Sequence, residues 1–343
     1  MRVAIMEPLN PPAGDICRDL MKDHQVSVAP AAGQPPDGLA AAEAVMWSSW
    51  PVDRAFVTGL PNLRLLQRIG RLRARGDVTA ALERGIPVSV FPHGTSLRVA
   101  EHTFALILGM LRGLLPSHQA VLDGQNPAGM TPEVRNGPTP TVNWARVPGL
   151  QTLQYATVSI VGFGEIGAVL ALMLKPHHCR VLYHKRGRLT PEQERYYGVE
   201  YAGFDDALAQ ADVVCDLLPV SDATRGAFNA GAFGRMKPAA VLVNTGRAHS
   251  VDEAALVDAL RARRIAGAAL DVFWLEPLPA GHPVTALTNV LLTPHTAGGT
   301  PQGAINGLAG WTDVFQRLNE NLRRVAAGEP VLSPLPLDEP QLG

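Results

Sequence analysis

An α/β fold of two doubly wound, parallel-sheet lobes is the expectation from three features of this chain. Short apolar runs alternate with helical stretches along much of its length, the pattern of strand–helix–strand units whose sheets are covered on both faces. One of these runs, Val158-Ser159-Ile160-Val161, ends in Gly162-Phe163-Gly164-Glu165-Ile166-Gly167 and leads into an apolar helical stretch from Ala168 to Leu174. The length of 343 residues exceeds a usual single core, so two domains of roughly 100–200 residues are expected.

Taken in order, Met1 to Met6 reads as a first strand, and its apolar run is too short for the core of a signal peptide. Ala44-Val45-Met46, Arg64-Leu65-Leu66 and Pro87-Val88-Ser89-Val90 supply further strands of the first lobe. The run from Val99 to Leu115 is helix-like and strongly apolar, but it contains Glu101, His102 and Arg112, which favours a buried interdomain helix over a membrane span. A Pro/Gly/Asn-rich stretch follows from Gly124 to Gly149. The second lobe is expected to run from about residue 99 to 295. A helix from Asp313 to Ala327 then returns the chain to the first lobe, ahead of a Pro-rich tail.

The glycine turn carries more than topology. Between a strand and a helix, the first glycine makes the turn, the second admits a pyrophosphate close to the backbone, and the third lets helix and strand pack. The anion would lie on the helix N-terminus, where free N–H groups and the dipole favour negative charge. A dinucleotide site is expected at Gly162, Gly164, Glu165, Ile166 and Gly167. The strand after it, Arg180 to Tyr183, tests which dinucleotide. An NAD-specific site places Asp or Glu at that strand's end to accept from the ribose hydroxyls, whereas this chain reads His184-Lys185-Arg186-Gly187-Arg188. Lys185, Arg186 and Arg188 suit a 2′-phosphate, so NADP is favoured, with NAD possible. A solvated basic loop is the competing reading.

Three residues downstream point to the chemistry: Arg247 in VNTGRAHSVDE, Glu276 in LDVFWLEPLP and His295 in LLTPHTAGG. Arginine offers a fixed fork of donors to a carboxylate and a neighbouring carbonyl oxygen. A carboxylate beside an imidazole favours its protonated form, so Glu276 and His295 together can hold a proton for a developing alkoxide. Arg247 and His295 are therefore expected to bind substrate, and all three residues to be catalytic. The competing readings are a structural ion pair for Arg247, a solvated loop residue for Glu276 and a turn histidine after Pro294 for His295.

Composition is consistent with a small-molecule enzyme. A net charge of −1 gives no global reason to expect nucleic acid or a membrane surface. Cys17, Cys179 and Cys215 have neither paired spacing nor an even count, which suits reduced thiols and a cytoplasmic setting. No metal is expected: His177 and His178 are adjacent, so their side chains diverge on a helix or a strand. No G-x-S-x-G nucleophile elbow is present either.

Together ERGIPV, VAEHT, NWARVPGL, GFGEIG, NTGR, LDVFWLEP and TPHTAGG, in this order over nearly the whole chain, resemble the D-isomer-specific 2-hydroxyacid dehydrogenase family. That family includes glyoxylate/hydroxypyruvate reductases, phosphoglycerate dehydrogenase and phosphite dehydrogenase. The resemblance implies two Rossmann-like lobes. A doubly wound cofactor domain at 99–295 would be inserted into a flavodoxin-like substrate domain at 1–98 and 296–343, with the active site in the cleft between them. It implies that Arg247 binds substrate, Glu276 supports the histidine and His295 is the general acid/base. It also implies cofactor contacts from Thr103, Leu218, Pro219, Thr245, Gly246, Asp271 and Gly298, and a homodimer joined through the 124–149 segment.

The departures from the family fall where substrate specificity is written. Many relatives hold the substrate carboxylate on a glycine-rich loop, where this chain reads Ile69-Gly70-Arg71-Leu72-Arg73-Ala74-Arg75-Gly76-Asp77. Arg71, Leu72 and Arg73, with Ser49 of Ser48-Ser49-Trp50 and His93 beside them, become candidates for the substrate wall. Ala248 replaces a common glycine after the arginine. The reading is an NADP(H)-preferring 2-oxoacid reductase, with two alternatives: a phosphite- or phosphonate-oxidising dehydrogenase, and a non-catalytic nucleotide-sensing, corepressor-like binding protein.

Overall fold

A computed structural model describes residues 1–48, 50–69, 78–91, 94–134, 137, 142–299 and 308–334. Its first sheet has five parallel strands, β1 (Arg2–Ile5), β2 (Gln25–Val28), β3 (Ala44–Trp47), β4 (Leu65–Ile69) and β5 (Val88–Phe91), in the order β2-β1-β3-β4-β5. This is the flavodoxin-like order, whose switch point lies between β1 and β3. Connections run through α1 (Pro11–Leu20), α2 (Arg54–Thr58) and α3 (Thr79–Glu83). α1 begins where it does because Asn10 accepts from the Ala13 N–H while Pro11, at the first helical position, has no N–H to satisfy. Every residue of β3, β4 and β5 is buried, as expected of parallel strands covered on both faces.

α4 (Gly94–Leu111) leaves the first sheet and packs against the second. The helix expected over 99–115 starts five residues earlier than that and stops short of its end. Gly113 adopts φ +54°, and α5 (Leu114–Leu122) departs at 57° to α4. The reason is steric as well as conformational, because a Cβ on Gly113 would come within 2.9 Å of the Leu150 side chain. Among the described residues no single helix is long and apolar enough to cross a membrane. Val99, Ala100, Leu106, Ile107 and Leu111 of α4 are instead buried within the protein.

The second sheet contains β6 (Thr157–Val161), β7 (Arg180–His184), β8 (Glu200–Tyr201), β9 (Val213–Asp216), β10 (Val241–Asn244), β11 (Gly267–Leu270) and β12 (Val290–Leu292). All are parallel, in the order β12-β11-β10-β9-β6-β7-β8. Five helices connect them: α6 (Glu165–Leu174), α7 (Pro191–Tyr197), α8 (Phe204–Gln210), α9 (Ala230–Arg235) and α10 (Glu253–Arg261). The order reverses between β6 and β9, and ligands of such sheets bind outside the carboxyl ends of the strands at that point. The glycine turn follows β6, and the segments bearing Arg247, Glu276 and His295 follow β10, β11 and β12 at the same sheet edge.

α11 (Leu308–Ala327) returns the chain to the first sheet, beginning five residues before the helix expected from sequence. It packs on α1, with Phe315, Leu318 and Leu322 fully buried. Asn321 fixes its register from inside the core: its amide donates to Gln67 Oε1 and Ser89 Oγ, and its carbonyl accepts from the Leu332 N–H.

Candidate active site

The three glycines of the 162–167 turn perform three different tasks. Gly162 sits at φ +96°, and a Cβ there would lie 2.6 Å from the Leu217 carbonyl, so it permits both the turn and the close approach to the end of β9. Gly164 has open space where its side chain would be and caps the N-terminus of α6 without a side-chain bond. A Cβ on Gly167 would press on the Ile160 side chain at 3.1 Å, so this glycine sets how closely α6 lies on β6. An open N-terminus of a ten-residue helix, walled by backbone, fits a dinucleotide pyrophosphate. Glu165 and Ile166 line the first turn, and Leu218 and Pro219 follow the end of β9 opposite.

The His184 carbonyl accepts from the N–H groups of Gly162 and Phe163, which brings the end of β7 against this turn. Lys185 is half-buried and Arg186 exposed, and neither has a hydrogen-bond or ion-pair partner among the described residues. Burial holds the Lys185 ammonium below the usual lysine range. Arg188 differs: its fork closes on both oxygens of Glu194 at 2.8 and 3.0 Å, and its guanidinium lies over the Tyr201 ring. Tyr183 donates to the same carboxylate.

Arg247, Glu276 and His295 converge. His295, at φ +52°, places Nδ1 2.6 Å from Glu276 Oε2. Glu276 Oε1 accepts from the Phe273 N–H at 2.9 Å, so both carboxylate oxygens are committed. Burial would raise the Glu276 carboxyl, but the bonds from His295 and Phe273 and the positive charges of His295 and Arg247 outweigh it, holding it below the usual range. Arg247 is exposed and donates to its own neighbour's carbonyl, Gly246 O, at 2.7 Å.

Behind this exposed pair lies a second one that the sequence does not announce. Asp271, fully buried, accepts from the Thr293 hydroxyl at 2.6 Å and from the N–H groups of Thr296 and Ala297 at 2.9 Å each. Its bonds clamp both ends of the turn that carries His295. From α4, His102 Nε2 reaches Thr293 Oγ1 at 3.0 Å and Asp271 Oδ1 at 3.4 Å. The neighbouring Thr103 hydroxyl bonds that of Thr245 at 2.6 Å, and the Gly298 carbonyl accepts from Arg98. The expected cofactor residues Thr103, Thr245, Gly246, Asp271 and Gly298 thus border the turns that carry Arg247 and His295, with Asp271 committed to holding one of them. Ser49, Arg71, Leu72, Arg73 and His93 lie outside the described residues. Among those described, no group of three His, Cys, Asp or Glu gathers in a metal-binding arrangement.

A phosphate cradle at a sheet switch point, beside a histidine–carboxylate pair and an arginine, defines a nicotinamide-dependent dehydrogenase. Residues 104–297 match the family model of the D-isomer specific 2-hydroxyacid dehydrogenase NAD-binding domain, and the chain belongs to that family. It is an NAD(P)-dependent oxidoreductase interconverting a 2-oxoacid and a D-2-hydroxyacid. It is 36% identical over 249 residues to a glyoxylate reductase of Aeropyrum pernix, covering 73% of this chain and 71% of that one. Glyoxylate/hydroxypyruvate reductase B of Escherichia fergusonii is 33% identical, covering 79% of each chain. Among solved structures, a Granulicella formate dehydrogenase aligns with a TM-score of 0.56 and 26% identity, covering 96% of this chain and 86% of that one.

Proposed function

We propose that this protein is an NADP(H)-preferring reductase of a small anionic 2-oxoacid, reversible as a D-2-hydroxyacid dehydrogenase, and that it works as a homodimer. The observation that carries the cofactor preference is the pair Lys185 and Arg186 beside the glycine turn, neither of which has a partner among the described residues. A half-buried ammonium without an anion is unfavourable, and a 2′-phosphate supplies one. The bound nicotinamide supplies the hydride chemistry. His295 has Nδ1 occupied by Glu276, which leaves Nε2 to hold the proton passed to or from the substrate oxygen. Arg247 presents its fork to the carboxylate and carbonyl of the oxoacid. The substrate-side wall is assigned to Ser49, Arg71, Leu72 and Arg73, and the lobes to 1–98 with 296–343 and to 99–295.

The dimer reading is supported by exposed apolar side chains concentrated on α5 and the segment after it: Leu114, Leu115, Val121, Leu122, Trp144 and Tyr155. The three free cysteines fit a reducing, cytoplasmic setting. Replacing Lys185 and Arg186 together by neutral residues tests the cofactor assignment. The Michaelis constant for NADPH should rise roughly tenfold or more, the scale of one or two charge-assisted hydrogen bonds, and that for NADH should barely change. Equal effects on both cofactors at matched ionic strength would remove the 2′-phosphate role.

A further inference from the structure

Asp216 ends β9 at the switch point, one strand away from the turn that carries Arg247. Its carboxyl is fully buried, and it has two neighbours: the Leu218 N–H donates to Oδ1 at 3.1 Å, and Oδ2 meets the Ser250 hydroxyl. The same Ser250 hydroxyl lies 2.6 Å from the Arg247 carbonyl, which also accepts from Asn244 Nδ2 at 3.1 Å. A hydroxyl has one hydrogen. Ser250 can give its hydrogen fully to only one of these two oxygens at a time; with the proton on Asp216 it accepts from the acid and its own hydrogen goes to the Arg247 carbonyl, so that both contacts are hydrogen bonds. Burial independently pushes the Asp216 carboxyl up to about 7, against the smaller opposing effects of Ser250 and the Leu218 N–H. Around it β6 presents Val161, β10 presents Asn244, and the chain-adjacent titratable group is the buried Cys215 thiol, itself pushed up by burial. On the 246–250 turn the side chains of Arg247 and His249 are exposed, and no cation contacts the Asp216 carboxyl among the described residues.

We propose that Asp216 is a positioning residue for Arg247: as a neutral acid it donates to Ser250 Oγ, which frees the Ser250 hydrogen to hold the Arg247 carbonyl, and ionisation withdraws that hold. The turn has little other slack to absorb the change, because a Cβ on Gly246 would already lie 2.9 Å from the Asp216 carbonyl. Once Asp216 is ionised, the Ser250 hydroxyl turns to the carboxylate, the stronger acceptor. Arg247 then keeps only the Asn244 contact and the long 3.4 Å approach of the Ser250 N–H. Substrate affinity should therefore weaken above pH 7 by a route separate from the proton on His295. This inference rests on Arg247 being the substrate anchor.

Two measurements test it. Infrared difference spectra of the protein labelled with 13C-aspartate should show a protonated-carboxyl C=O band that fades as pH rises through about 7 and is absent from Asp216→Asn. With NADPH and glyoxylate as the test oxoacid, Asp216→Asn, whose amide donates at every pH, should match the wild-type KM at pH 6 and fall several-fold below it at pH 9. Ser250→Ala should raise that KM roughly tenfold at pH 6, the scale of one hydrogen bond, with the NADPH dissociation constant unchanged. A missing band overturns the proposal on the wild-type protein alone, even if the variants fail to fold. Parallel KM profiles for wild type and Asp216→Asn overturn it as well. The anchor reading fails separately, if Arg247→Lys leaves the glyoxylate KM unchanged.

Discussion

Two histidine–carboxylate pairs flank one short turn, and they differ in nearly everything except composition. His295 and Glu276 have side chains 50% and 37% exposed, whereas in the pair behind them His102 is 23% exposed and Asp271 is fully buried. The exposed pair has one clear contact, Nδ1 to Oε2 at 2.6 Å, and the other ring nitrogen has no partner among the described residues. In the buried pair Asp271 takes a hydroxyl and two backbone N–H groups, and His102 spends Nε2 on Thr293 and Asp271. The same two functional groups thus divide into an exposed pair, to which we assign proton exchange, and a buried pair that holds the His295 turn in place. Exposure and the number of committed donors make the difference.

Replacing His295 should break the comparison most visibly. His295→Ala is expected to lower kcat by roughly two to four orders of magnitude, the usual loss of a general acid, while the dissociation constant for NADPH stays near wild type. Turnover close to wild type would return His295 to the status of a turn residue. Asp271→Ala should act in the opposite sense, on stability first. It leaves the buried N–H of Ala297, the part-buried N–H of Thr296 and a hydroxyl without an acceptor, at a cost of about 3 kcal/mol, a fall in melting temperature of roughly 6–12 °C. Its kcat should fall by roughly ten- to a hundredfold, because the His295 turn loses its clamp and small misplacements of a reacting group are costly. A melting temperature unchanged from wild type would show that the carboxylate serves a ligand and not the turn.

The contrast also explains what the sequence made legible. The glycine turn and the segments bearing Arg247, Glu276 and His295 each follow a strand, so local pattern plus the rule that ligands bind at strand ends was enough to expect them at one sheet edge. The flavodoxin-like order of the first sheet and the inserted second sheet followed from the alternation of strands and helices and the family motifs. Asp271 was expected among the cofactor contacts, whereas the fold commits its carboxylate to the His295 turn; its partner His102 was not expected there, because nothing in VAEHT specifies which strand end α4 will face. The same holds for the bond between Thr103 and Thr245. Arg188 reads in sequence as one of three equivalent cations, and only the fold shows that Glu194 on α7 already occupies its fork. The break at Gly113 carried a signal, a glycine inside an apolar helical run, yet the run's hydrophobicity masked it.

The smallest expected effect is at His102, and it decides whether the buried pair is purely supportive. Asp271 keeps its bonds to Thr293, Thr296 and Ala297 when His102 is removed, so His102→Ala deletes one donor from a network that otherwise survives. One buried hydrogen bond of this kind is worth about 1 kcal/mol, which predicts a melting temperature lower by roughly 2–4 °C and a kcat lower by less than about tenfold. His102→Gln supplies an N–H of similar reach and should recover most of both. Because α4 leaves the first sheet and packs against the second, the donor ties that helix to the His295 turn, and its loss should affect kcat more than the KM for NADPH. A loss of kcat as large as that of His295→Ala, with no recovery by glutamine, would mean that the imidazole at 102 takes part in proton transfer and that the two pairs work as one relay.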